Sequence, residues 1–402
     1  MDNNKLTSEI FSILENNFLF GFNQNPSPEN TNSGTGKVRI LSIDGGGATD
    51  GTLSAKSILH LETTIRRISG DPNAHISDYF DVVAGSGIGG VIAALLFTKG
   101  ENGKPLFTAG ETVKFVAENG AKLCRSNKLG VFRRVFRVPA KVFDRTFKEL
   151  TLKDTLKTVL IPCYDLNTGA PFVFSRADAV EMDACDFKLS GVCNATTASG
   201  PPINIMSVDQ RTRIAAVSGV VAMNNPTAAA ITHVLYNKQE FPFCNGVEDL
   251  LVVSLGNGEP SNLTAGNGTP TRTALVKIVG EAVSDTVDQA VSMAFGQSRK
   301  SGYVRIQGNK GLFNVKDEKK YANMSVQADD MLKQHNVESV LFHGKKCNST
   351  NLEKLEFFAR EIFKENERRK TSTIPIVLLN QTTTSSSART SSATTLSTIS
   401  SS

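Results

Sequence analysis

Tyr79-Phe80-Asp81-Val82-Val83-Ala84-Gly85-Ser86-Gly87-Ile88-Gly89-Gly90 passes from an apolar run into a cluster of glycines with no loop between them. Tyr79–Ala84 reads as a buried strand, and the apolar segment Val91–Phe97 reads as a helix. A strand that turns into a helix through Gly-x-x-x-Gly is the setting of a nucleophile elbow. Its small residues permit a strained turn, and the helix N-terminus favours developing negative charge. The centre of that pentapeptide should be serine; here it is Gly87, which has no side chain to attack with.

Upstream, Lys37–Ile43 reads as another buried strand and ends in Asp44-Gly45-Gly46-Gly47. Such a loop can present the N–H groups of Gly45, Gly46 and Gly47 to an oxyanion. Glycine triplets also cradle phosphates or simply make tight turns, so the loop alone decides nothing. A dinucleotide fingerprint is disfavoured, because the spacing runs Gly45-x-Gly47-x-x-Asp50. Further strands are expected at Thr158–Tyr164, Pro171–Ser175 and Leu250–Ser254. Helices are expected around Leu53–Ile65 and over Thr227–Leu235. The alternation argues for a mainly parallel sheet covered by helices on both faces.

Composition narrows the class. The chain has 402 residues, 40% hydrophobic and 21% charged, enough to bury a substantial core without staples. A net charge of +5 does not argue for nucleic acid, and no nucleic-acid partner is expected. The six cysteines form no CxxC pair, so neither a metal site nor a disulfide framework is expected. Asp2, Glu9 and Glu15 interrupt the N-terminal apolar stretch, unlike a signal peptide, and no apolar run approaches the roughly 20 residues that cross a bilayer. The expected location is cytoplasmic, with reduced thiols and peripheral contact with membranes. The organisation reads as an amphipathic helix over 1–20, a linker over 21–36 and a core over 37–260. A mostly helical part of the same domain follows over 261–380, then a Ser/Thr-rich tail over 381–402 that lacks the apolar residues to order itself.

Ile40-Leu41-Ser42-Ile43-Asp44-Gly45-Gly46-Gly47, then Asp81-Val82-Val83-Ala84-Gly85, then Asn224-Asn225-Pro226, then Val253-Ser254-Leu255-Gly256-Asn257-Gly258 resemble, in that order, the patatin family of plant-type lipolytic acyl hydrolases. The resemblance runs from about residue 37 to about residue 345. It implies a three-layer α/β/α sandwich related to the catalytic domain of cytosolic phospholipase A2, acting on phospholipid or galactolipid esters without cofactor or metal. It also implies a Ser–Asp dyad, and both positions depart from the pattern. The family's nucleophile turn is matched by Gly85-Ser86-Gly87-Ile88-Gly89-Gly90, so Gly87 stands at the serine position. The family's aspartate opens an Asp-Gly-Gly/Ala segment, matched by Ser218-Gly219-Val220, so Ser218 stands at the aspartate position. After the glycine triplet the family carries a cation, whereas this chain reads Ala48-Thr49-Asp50-Gly51.

Two readings follow from different classes. One is a lipid acyl hydrolase with impaired or non-standard chemistry, in which Ser86 or Ser218 substitutes as nucleophile and Asp44 or Asp81 as base. The other is an inactive protein that binds lipid or a membrane surface. Removing the nucleophile of such a unit costs on the order of a million-fold in turnover. A basic segment bears on the second reading: between Lys122 and Lys148 nine cations stand against Asp144 alone. Phe132, Phe136, Phe143 and Phe147 recur there among Arg133, Arg134 and Arg137. That pattern suits either an amphipathic membrane face or ordinary helices whose phenylalanines enter the core, broken at Pro139. A scaffold that binds protein through the same basic segment is a further alternative.

Overall fold

The computed structural model describes residues 36–124, 137–258, 272–308, 320–340, 343–373 and 375–378. The expected helix over 1–20, the linker up to residue 35, the tail over 381–402 and Phe132, Arg133, Arg134 and Phe136 lie outside the described residues.

Eight strands form the main sheet: β1 Val38–Ile43, β2 Val82–Gly85, β3 Thr158–Asp165, β4 Ala170–Ser175, β5 Ile203–Met206, β6 Arg213–Val217, β7 Leu250–Leu255 and β8 Tyr303–Ile306. Their order is β5-β6-β3-β2-β1-β7-β8, with β4 also paired to β3. The run β3-β2-β1-β7-β8 is parallel, while β4, β5 and β6 add antiparallel pairs at one side. All six residues of β1 and of β7 are buried, as expected of parallel strands covered on both faces. Strand alternation divides the core. Leu41, Ile43, Val83 and Val253 join one apolar cluster, and Ile40, Val82, Ala84 and Val252 join the other.

The first cluster is closed by helices α1 (Thr52–Ser69), α2 (Ile88–Phe97), α3 (Ala109–Cys124), α4 (Arg137–Phe147), α5 (Leu189–Thr196) and, later in the chain, the helix Asn351–Thr371. The second is closed by α6 (Thr227–Tyr236) and α7 (Arg272–Phe295). The result is the expected three-layer α/β/α sandwich. A separate antiparallel pair, β9 (His335–Val340) and β10 (His343–Thr350), follows α8 (Lys320–Lys333).

Several boundaries moved. Tyr79 closes a short helix, Ile76–Tyr79, rather than opening β2, because Asp81 is drawn into an ion cluster before the strand begins. Pro139 does not break its segment: it lies in the first turn of α4, where a missing N–H costs no helical bond. Phe143 and Phe147 on that helix are fully buried, so there the core reading of the phenylalanines holds.

Candidate active site

The loops after β1, β2 and β7 meet at the C-terminal ends of adjacent parallel strands, where open α/β sheets bind ligands. At the end of β2 the chain turns through Ser86 and Gly87 into α2. Gly87 has φ 51° and ψ −122°, a conformation that only glycine adopts without strain. The turn is tight: a Cβ at Gly89 would come 2.4 Å from the Ile43 carbonyl oxygen. The elbow geometry expected from the sequence is therefore present, with no side chain at its apex.

The structure brings the two departing positions together on a residue that the sequence did not single out, Thr196 at the end of α5. The Gly87 N–H donates to Thr196 Oγ1 at 2.9 Å, and Ser218 Oγ donates to the Thr196 carbonyl at 3.4 Å. Ser218 also caps the one-turn helix Gly219–Ala222, accepting from the Val220 N–H at 3.2 Å. Its hydroxyl is thus committed as a cap, and among the described residues its hydrogen-bond partners are backbone groups rather than a base.

The other candidate substitute fares no better. Ser86 is fully buried, and its hydroxyl has no hydrogen-bond partner among the described residues. It faces Gly219, where a Cβ would lie 3.1 Å from the Ser86 oxygen, so the hydroxyl points into packed backbone rather than toward the cleft. Asp44 is buried in a bidentate pair with Arg305, at 2.9 and 2.6 Å, and also accepts from Ser284 Oγ at 3.0 Å. Burial alone would lower the Arg305 pKa, but the Asp44 carboxylate raises it well above its usual value. Asp81 lies at the opposite end of β2 from the elbow, bonded to Arg39 and Arg369. Burial alone would raise its pKa; the two guanidinium groups hold it far below the ordinary carboxylate range. Neither aspartate is placed to take a proton from Ser86 or Ser218.

The expected oxyanion donors are also engaged. The Gly45 N–H donates to the Asn224 carbonyl at 3.0 Å and the Gly46 N–H to Asn224 Oδ1 at 2.7 Å. Only the Gly47 N–H of the three makes no hydrogen bond among the described residues. Asn224 is held in turn by α7, donating from Nδ2 to the Gly280 carbonyl at 3.1 Å. The loop Ala48–Gly51 is fastened to the loop after β7: Ala48 N–H bonds the Gly258 carbonyl and Thr49 N–H the Asn257 carbonyl.

Val220 closes the apex. A Cβ built on Gly87 would lie 2.8 Å from Val220 Cγ2, and one on Gly45 would lie 2.7 Å from the same methyl. An aliphatic side chain thus lies against the apex of the turn. A small polar cleft of about 10 Å³, room for about one water, borders the glycine loop and is lined by Gly46, Gly47, Asn224, Glu281, Asp285 and Gln307 among others; neither Gly87 nor Ser218 borders it. Motif reading did not single out Thr196 or Arg305, and it placed Asn224 and Val220 in resembling segments without assigning them a role. Val220 left a further signal, a branched residue where the resembling segment has glycine or alanine.

A family model described as patatin-like phospholipase matches residues 41–231. Among curated relatives, patatin-like protein 6 of Arabidopsis thaliana is 44% identical over 95% of this chain and 88% of its own length. Patatin-like protein 3 of Oryza sativa subsp. indica is 45% identical, covering 91% of this chain and 92% of the relative. A third, named probable inactive patatin-like protein 9, from Arabidopsis thaliana, is 46% identical over 90% of this chain and 93% of the relative.

Proposed function

This chain belongs to the patatin-like phospholipase family, and from that premise we propose that it binds lipid acyl esters at a membrane surface without hydrolysing them by the serine–aspartate route. In this reading Gly87 stands at the nucleophile position and Ser218 at the aspartate position. The observation that carries it is the Val220 methyl 2.8 Å from where a Gly87 Cβ would lie, so that a side chain at this position would have to displace Val220. Two further features support it. Asn224 consumes two of the three expected oxyanion donors, whose preorganised N–H groups supply much of the transition-state stabilisation in acyl transfer. The bases nearest in sequence, Asp44 and Asp81, are tied into ion pairs.

A relocated dyad has no observation in its favour, since Ser86 is buried against backbone and Ser218 serves as a cap. Cytoplasmic location with peripheral membrane contact is part of the same proposal, and fractionation of the tagged full chain checks it.

The test is acyl release from mixed phospholipid and galactolipid vesicles, together with covalent labelling by a fluorophosphonate, which reports an activated serine independently of substrate choice. Wild type is expected to release no acyl chain and to remain unlabelled while associating with the vesicles. Hydrolysis or labelling that disappears in Ser86→Ala or Ser218→Ala would establish a relocated nucleophile and overturn the reading.

A further inference from the structure

Helix α7 carries apolar side chains on both its inner and its outer faces. Its protein-facing side is mixed: Val291 and Phe295 enter the second apolar cluster, while Ser284 donates to Asp44, Asp288 accepts from the Tyr303 hydroxyl at 2.5 Å, and Gln289 and Ser292 are buried as well. Its solvent-facing side is apolar. Leu275, Val276, Val279, Val283 and Met293 are 45–63% exposed, with only small uncharged residues between them on that face. At 100° per residue these positions fall within an arc of roughly 120°. Single exposed apolar residues need no explanation, but five on one helix stripe do.

We propose that this stripe is the lipid-docking face of the protein, and that it seats on a bilayer surface beside the glycine loop. The inference rests on the lipid-binding reading above and names the surface responsible for it.

Three observations favour lipid over a protein partner. The stripe is one helix wide and about 27 Å long, which gives on the order of 300 Å². A stable protein interface needs roughly 800 Å² on each side. The exposed side chains of the stripe are aliphatic or Met293, with no aromatic ring to anchor a partner, whereas a lipid surface needs no complementary shape. Finally, the helix spans the site. A Cβ at Gly280 would lie 3.9 Å from Val220 Cγ1, and the Gly280 carbonyl holds Asn224. Val221, on the one-turn helix that begins at Gly219, is itself 59% exposed. A bilayer against the outer face of α7 therefore lies next to the loops at the C-terminal end of the sheet. The sequence brackets the stripe with cations, Arg272 and Lys277 at its start and Arg299 and Lys300 after its end, the arrangement of interfacial helices that meet headgroups at both ends.

Flotation of the full chain with phosphatidylcholine vesicles, and with the same vesicles doped with phosphatidylserine, tests the proposal. Wild type, Val279→Glu/Val283→Glu and Arg133→Glu/Arg134→Glu are compared, with melting curves confirming that each is folded. The α7 variant is expected to lose at least tenfold in bound fraction on both vesicles, and the basic-segment variant to lose much less. The chain contains no tryptophan, so Val279→Trp supplies a single reporter whose emission should shift to the blue on vesicles. If wild type binds and the α7 variant binds equally, this inference fails and the lipid-binding reading stands. If wild type binds neither vesicle, the lipid-binding reading itself fails. A wild-type dimer in solution that the α7 substitutions convert to monomer, with vesicle binding unchanged, would assign the stripe to a second copy instead.

Discussion

Restoring a serine at the elbow should destabilise the protein, and the loss should depend on Val220. In Gly87→Ser the new side chain must hold φ 51° and ψ −122°, and its Cβ must sit 2.8 Å from Val220 Cγ2 and 3.3 Å from Gly45 Cα. A side chain in so sparsely populated a backbone conformation costs about 1–3 kcal/mol. Forcing atoms into packed space adds about 1–3 kcal/mol. The expected loss is therefore about 2–6 kcal/mol, a large share of the roughly 5–15 kcal/mol that holds a typical domain folded. Val220→Ala removes the methyls; since Val220 is half-buried, it should by itself cost only about 1 kcal/mol. Combined, the two should be less destabilising than their sum by about 1–3 kcal/mol, because the overpacking has gone while the backbone strain remains. Denaturant unfolding of the four proteins of this cycle measures the coupling. Additivity within about 0.5 kcal/mol would show that Val220 does not close the elbow and would refute the reasoning. Fluorophosphonate labelling extends the test to chemistry. Gly87→Ser/Ser218→Asp should stay unlabelled while Val220 is present, and Val220→Ala added to that pair should be required before any label appears.

Other consequences are more local. Asp81 has its pKa depressed in the fold, so its contribution is complete above the unfolded carboxylate value, near pH 4, and is lost as pH falls below it. Melting temperature should therefore drop through that window in wild type. Asp81→Asn should flatten that dependence and cost about 3–5 kcal/mol at neutral pH, where Arg39 and Arg369 lose their partner. Arg305→Met leaves the Asp44 carboxylate buried with only Ser284 as a side-chain donor and should cost about 3–5 kcal/mol by denaturant unfolding. Phe143→Ala, in the fully buried part of α4, should cost about 3–5 kcal/mol. A neutral result there would mean that α4 does not pack on the core.

The layers of the sandwich and the position of the elbow were legible in the sequence because they are local. Buried parallel strands read as short unbroken apolar runs, and glycines mark where a strand must turn at once into a helix. Val38–Ile43, Thr158–Asp165 and Leu250–Leu255 were therefore anticipated within a residue or two. The four-residue strands Ile203–Met206 and Tyr303–Ile306 were not, since so short a segment shows no period and is set by the strand it pairs with. The absence of a side chain at Gly87 could likewise be read from one line of residues.

Tertiary structure decided what surrounds those positions. Val220 over Gly87, Asn224 on the Gly45 and Gly46 amides, Thr196 between Gly87 and Ser218, and Arg305 on Asp44 are contacts between segments distant in sequence. No local pattern encodes them, because each depends on which loops the sheet order brings to the same edge. The same holds for α7. Its residues alternate polar and apolar at helical spacing in the sequence, but only the fold shows which of them face inward, since buried partners such as Asp44 and Tyr303 come from the turn after β1 and from β8.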